Sequence, residues 1–195
     1  MSAPRKVIAG LLTAGLMALA MWLYTFKPSL EDKEQDPLVS SGHIGSAVDN
    51  SVFSVKVDKV DVATGIAKSS FLEQKPQVMP SLGLFVIIHL QIKSNQKPFQ
   101  PGDPQLLTPG GVSYDESGRP AISTSNGDYQ SMLWAPATYV FEIPKDRLAG
   151  VRLVIGESAL LNQLSAQTEV DLGIDGGEAA RLLAHASPAY TLKTT

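Results

Sequence analysis

The side chains best suited to chemistry in this 195-residue chain are three histidines, His43, His89 and His185, and a scatter of loop acids. His89 has no second His, Cys or carboxylate at the spacing a metal site needs, and the three histidines fall in a linker, on a strand face and in a tail, so they are not expected to converge. The acidic pair Asp115–Glu116 lacks the regular oxygen spacing and the glycine of a calcium loop. There is no Cys, which removes thiolate nucleophiles, thiolate metal sites, disulfides and lipid attachment through an N-terminal cysteine. Gly-x-Ser-x-Gly, His-Glu-x-x-His and Walker motifs are absent. The sequence therefore predicts no catalytic residue, no cofactor and no metal. Two loop carboxylates roughly 5–10 Å apart suffice for glycoside hydrolysis, and any two loops supply such a pair. A pocket gathering two or more of Asp103, Asp115, Glu116, Asp128 and His89 would mark an enzyme. An apolar patch at a strand edge would mark protein binding.

What must position any of these groups is set by the first quarter of the chain. Val7 to Phe26 carries no charge and matches the roughly 20 apolar residues of a membrane-crossing helix. Arg5 and Lys6 precede it and Lys27 follows, with acids just beyond. The positive-inside rule then puts residues 1–6 in the cytoplasm and the rest outside. Trp22 and Tyr24 fit an interfacial aromatic belt. Gly10, Ala14 and Ala18, four apart, form a small-residue stripe of the kind that lets spanning helices pack closely. The competing reading is a signal peptide cut after Ala20, since Ala18-Leu19-Ala20 has the small-x-small form. Cleavage there would open the mature protein on an exposed apolar hexapeptide, which favours an uncleaved anchor.

Residues 27–47 are charged, then rich in Pro, Ser and Gly, and predict a flexible linker with His43 exposed in it. The remainder reads as strands. Charged residues are only 18%, and 16 Gly and 13 Pro are spread along the chain, which suits short strands joined by turns. The net charge is −3, and setting Arg5 and Lys6 aside leaves the rest more acidic still. This argues against a nucleic-acid partner, which calls for a basic patch.

From Val48, Phe53, Val55 and Val57 alternate with polar residues, as in a half-buried strand. The phase slips before Val60 and Val62, as a β-bulge would make it. Residues 63–81 read as a long connection. The strongest strand follows, with Leu84, Val86, Ile88, Leu90 and Ile92 on one face. Its other face runs from Phe85 and Ile87 to His89, Gln91 and Lys93, so His89 reads as a sheet-surface residue. Leu106–Leu107 is a short strand, Tyr114 to Gly118 a turn, and 120–128 an exposed loop. Three further strands place Tyr139, Phe141 and Ile143, then Val151, Leu153 and Ile155, then Val170, Leu172 and Ile174 inward. Val140 is expected outward. Residues 176–195 form a tail with a short helix near Glu178–Ala186 and His185 in it.

The order of these features resembles the bacterial extracytoplasmic telokin-like domains. The likeness rests on the long strand ending in Lys93-Ser94-Asn95, the Tyr114-Asp115-x-x-Gly118 turn, Trp134-Ala135-Pro136, Phe141-x-Ile143-Pro144-Lys145-Asp146, and a closing Val170-Asp171-Leu172. It implies an immunoglobulin-like β-sandwich over residues 48–175, behind a lipoprotein signal or a single span. This chain departs from that pattern in having no lipidation Cys. The resemblance carries no catalytic residue.

The expected protein is thus an all-β, immunoglobulin-like antiparallel sandwich behind one N-terminal transmembrane helix. Its expected role is a non-enzymatic binding or assembly module of the cell envelope, with the membrane and an envelope protein as partners. An envelope enzyme using loop carboxylates is the alternative. A secreted ligand-binding domain is a third, if Ala20 is a cleavage site.

Overall fold

The computed structural model describes residues 12–22, 37–68, 77–119, 122, 127–158 and 165–192. The chain divides into two compact units, Met1–Asp36 and Pro37–Thr195. In the first, residues 12–22 form a helix, α1, whose side chains Leu12, Leu16, Leu19 and Trp22 are exposed. Ala14 and Ala18, one turn apart, share a face of it. Gly10, Arg5, Lys6, Tyr24 and Lys27 lie outside the described residues, as does the rest of the expected span. Among the described residues, no helix is long and apolar enough to cross a membrane.

The second unit is a β-sandwich of two five-stranded layers. The strands are β1 (Leu38–His43), β2 (Ala47–Asp49), β3 (Phe53–Lys68), β4 (Gln77–Ser94), β5 (Gln105–Leu107), β6 (Ser113–Asp115), β7 (Ala135–Ile143), β8 (Arg152–Gly156), β9 (Ala166–Asp171) and β10 (Tyr190–Thr191). Sheet one runs β1-β9-β8-β5-β6, and sheet two runs β10-β3-β4-β7 with β2 also on β3. Among the strands just named, pairing is antiparallel except for β1 with β9 and β10 with β3.

Period-two alternation puts the core between the sheets. Phe53, Val55, Val57, Leu84, Val86, Ile88, Leu90, Ile92, Tyr139, Phe141 and Ile143 from sheet two meet Leu106, Leu153, Ile155 and Val170 from sheet one. The bulge is where the phase slip predicts it. Val57 pairs Leu90 and Lys59 pairs His89, leaving Asp58 as the extra residue. Asn50 fastens the β2–β3 turn across the sandwich. Its Oδ1 accepts from the Val52 and Phe53 amides, each at 2.8 Å, and its Nδ2 donates to Thr168 Oγ1 on β9 over 3.0 Å.

Five expectations need correction. Part of the predicted linker, Leu38–His43, is an edge strand in full register with β9, held by backbone bonds that need no apolar side-chain pattern. The predicted connection at 63–81 is largely strand, since β3 runs on to Lys68 and β4 starts at Gln77. Val140 points away from the main core but is buried, in a second cluster with Ala63, Ile66, Phe85, Ile87 and Ile122 on the outer face of sheet two. Ile122, expected in an exposed loop, supplies part of that cover. The expected tail holds α2 (Gly176–Ala184), N-capped by Asp175 Oδ1 accepting from the Glu178 amide, and then β10. Tyr190 and Leu192 pack on the second cluster, so the C-terminal segment is fastened to the sheet.

Candidate functional site

The residues singled out as chemically able are dispersed over the sandwich. His43 lies exposed on β1, 3.9 Å from Asp171. His185 caps the exposed end of α2. Asp115 accepts from Gln105 Nε2 at 3.0 Å. Glu116 sits beside β7, bridging Phe141, and Asp128 is exposed in its loop. Asp103 borders an open pocket of about 480 Å³ on sheet one that none of the other four lines, and the acid beside it there is Glu157, which no motif points to. Among the described residues, no group of three metal-ligating side chains converges.

His89 is part of a polar cluster on the outer face of sheet two. The bulge at Asp58 sets this up, because it turns both Lys59 and Asp61 toward that face. Asp61 Oδ2 accepts from Lys59 Nζ at 2.8 Å and from the Tyr190 hydroxyl at 3.1 Å. His89 Nε2 lies 2.9 Å from the Tyr190 oxygen and 3.2 Å from Asp61 Oδ2, so as an N–H it reaches both. Its Nδ1 lies 3.3 Å from Thr138 Oγ1. Burial, and then the Asp61 carboxylate, push the Tyr190 phenol up to about 12. The set joins β3, β4, β7 and β10, and its evident work is to fasten the C-terminal strand. Lys59, Asp61, Thr138 and Tyr190 escape a sequence reading because they come from three distant segments.

A third feature is apolar. Met132, Leu133 and Trp134 stand exposed in succession just before β7, at 73%, 61% and 37% of their surface. Lys93 Nζ sits 5.0 Å from the centre of the Trp134 ring. The ridge is held out by its backbone. The Met132 amide donates to Ser94 O at 2.8 Å and Ser131 Oγ to Gln96 O at 2.7 Å. Met132 itself adopts φ 62°, a left-handed conformation costing a side-chain-bearing residue roughly 1–2 kcal/mol. Strain of that kind persists where surrounding structure enforces it and is enriched at binding sites. Nearby in the chain, Phe99 stacks on Phe53 with centroids 4.7 Å apart and meets Tyr129 at a tilt, 6.2 Å away.

Comparison with known proteins gives no assignment. No family model matches the chain, and no curated protein sequence matches it. Solved structures that resemble it are β-sandwiches or bacterial proteins at low identity. A secreted protein from Mycobacterium tuberculosis, MPT63, is 12% identical with a TM-score of 0.47, covering 69% of this chain and 97% of that one. The yjhA protein from Bacillus subtilis is 14% identical with a TM-score of 0.44, covering 67% and 99%. An uncharacterised β-sandwich protein from Clostridium difficile 630 is 10% identical with a TM-score of 0.40, covering 70% and 96%.

Proposed function

We propose that this chain is a single-pass membrane protein of a bacterial envelope, with its N-terminus in the cytoplasm. It presents an immunoglobulin-like sandwich of the telokin-like class outside the membrane, as a binding or assembly module for an envelope protein. The observation that carries the binding role is the Met132-Leu133-Trp134 ridge. Large apolar side chains exposed in a row, on a strained and well-fastened backbone, are the kind of patch that marks a protein interface, and Trp is among the residues that most often anchor one. The dispersion of Asp103, Asp115, Glu116, Asp128 and His89 favours this module over the alternative of an envelope enzyme. The charge-free run Val7 to Phe26 supports the anchor, and the Arg5/Lys6 pair ahead of it supports its orientation.

The test is co-purification of the full chain in mild detergent after crosslinking, comparing wild type with Leu133→Asp and Trp134→Ala. A defined membrane protein should accompany the wild type and fall at least tenfold with Leu133→Asp, a loss of about 1.4 kcal/mol or more. Undiminished capture by both variants would remove the ridge from the interface. N-terminal sequencing of the fractionated protein decides the anchor, and a mature chain beginning at Met21 overturns it in favour of a secreted domain.

A further inference from the structure

The open pocket on sheet one is unrelated to the ridge and has its own chemistry. It lies where the loop before β5 meets the end of β8 and the start of β9. Gln105, Val154, Gly156 and Gln167 line it and alternate with the buried Leu106, Leu153, Ile155 and Ala166, so it opens on the outer face of the sheet. Backbone bonds lock its wall. The Gly102 amide donates to Gly156 O at 2.9 Å, and Pro101 bridges Glu157. A Cβ at Gly102 would lie 3.1 Å from Glu157 O, a tight contact that glycine avoids where the loop closes on the strand.

Gly156 is different. It pairs with Gln167 in β8–β9 register, its φ is not in the left-handed region, and a Cβ placed on it meets nothing within 4 Å. Neither backbone conformation nor packing demands glycine there. A glycine in a strand costs stability and marks a place where something else approaches the backbone closely. Here the missing side chain leaves the floor of the pocket bare.

The groups around that floor are unspent. Among the described residues, the side chains of Gln100, Asp103, Glu157 and Gln167 make no hydrogen bond or ion pair. No Lys, Arg or His lines the pocket among the described residues. Carboxylates accept only, whereas carboxamides both donate and accept. A simple cation would use the two carboxylates and leave the amide N–H groups of Gln100 and Gln167 idle. A hydroxyl uses both kinds, donating to a carboxylate and accepting from an amide. The volume of about 480 Å³ lies within the range of small-molecule sites, roughly 300–1,000 Å³. From this donor and acceptor set over a bare glycine floor, we propose that the pocket binds a short saccharide through its vicinal hydroxyls.

The test is a microarray of immobilised short saccharides probed with the labelled full chain in detergent, alongside Gly156→Leu and the double variant Asp103→Asn/Glu157→Gln. Circular dichroism melts establish that each variant folds. The wild type should bind a subset of the array, with binding at least tenfold weaker in Gly156→Leu, which fills the floor without touching the polar groups. The double variant should lose binding as well. Failure of the wild type to bind any arrayed saccharide overturns the proposal, as does full binding by a folded Gly156→Leu. Spermidine run as a soluble probe separates the cationic case, and binding of spermidine with no saccharide bound overturns the assignment. None of these outcomes depends on the Leu133→Asp result.

Discussion

The Tyr190 hydroxyl donates to Asp61 Oδ2 over 3.1 Å, joining positions 129 residues apart in the chain. The bond reinforces the attachment of the two-residue strand β10 to β3, where Tyr190 pairs Ile66 and Thr191 pairs Ala67. Tyr190→Phe keeps the ring on the second cluster and removes the bond. It should lower unfolding stability by about 1 kcal/mol, read by urea denaturation. Amide hydrogen exchange should rise in β10 ahead of β4. An unchanged exchange rate in β10 would show that apolar packing alone holds the C-terminal segment.

Alkaline pH should loosen the sandwich. Burial pushes the Tyr129 phenol up to about 12 from 10.0, Tyr190 likewise reaches about 12, and Tyr139 is raised further by its burial. The native state therefore keeps protons that the unfolded chain releases above pH 10. Fewer protons bound in the unfolded state means stability that is intact below pH 10 and falls as pH rises through 10 toward 12. Denaturation midpoints between pH 8 and pH 11 check this, at about one-unit intervals on either side of the free tyrosine pKa. A flat profile across pH 10 would contradict it.

Tyr139 sits in the main core at 1% exposure; the Tyr129 phenol is close enough to influence its hydroxyl, but among the described residues no partner meets it in hydrogen-bonding geometry. An unpartnered buried hydroxyl costs free energy that its ring does not need. Tyr139→Phe should thus be neutral or more stable by up to about 1 kcal/mol, and should flatten the alkaline fall. A loss above about 1 kcal/mol in thermal denaturation would mean that the hydroxyl is hydrogen-bonded in solution.

Asn50 should prove the most sensitive polar position in the turn between β2 and β3. Asn50→Ala strips a partner from the Val52 and Phe53 amides and from the fully buried Thr168 hydroxyl. The cost should be about 2–3 kcal/mol, with Asn50→Asp milder because it keeps the acceptor. Equal losses for the two would point to backbone strain in place of the hydrogen bonds.

Close approach makes Gly83 a second structural test. A Cβ there would lie 2.3 Å from Ile143 O, so Gly83→Ala must push β4 from β7. It should destabilise by about 1–3 kcal/mol, seen as a lower denaturation midpoint with no change in saccharide or partner binding by the folded fraction.

Much of the sandwich is legible in the sequence because burial imposes a period. Leu84 to Ile92 read as a central strand for this reason, and the apolar start of its other face, Phe85 and Ile87, anticipates the second cluster that covers it. The slip before Val60 marks the bulge because alternation records which face each residue takes. Where burial does not act, the pattern is mute. Leu38–His43 pairs with β9 through backbone groups alone, so Ser40, Ser41 and Gly42 look like linker. The end of β3 and the start of β4 look like a loop for another reason: Gly65 and Pro80 interrupt the pattern, although Ala63, Ile66 and Ala67 are buried. Val140 looks exposed because alternation distinguishes faces and says nothing of what lies over them.

The sequence by itself determined that the chain has a charge-free run at Val7 to Phe26, a β-rich domain beyond it and no recognised catalytic or metal motif. Those are properties of composition and local period, which no fold can alter. Only the tertiary structure decided that Asp103 stands with Glu157 over Gly156, that Asp61, His89 and Tyr190 meet, and that Met132 to Trp134 stand out from the surface. Each of those depends on strand pairing between distant segments. Side-chain contacts across a sheet follow from register, and register is set by the whole sandwich closing on one core.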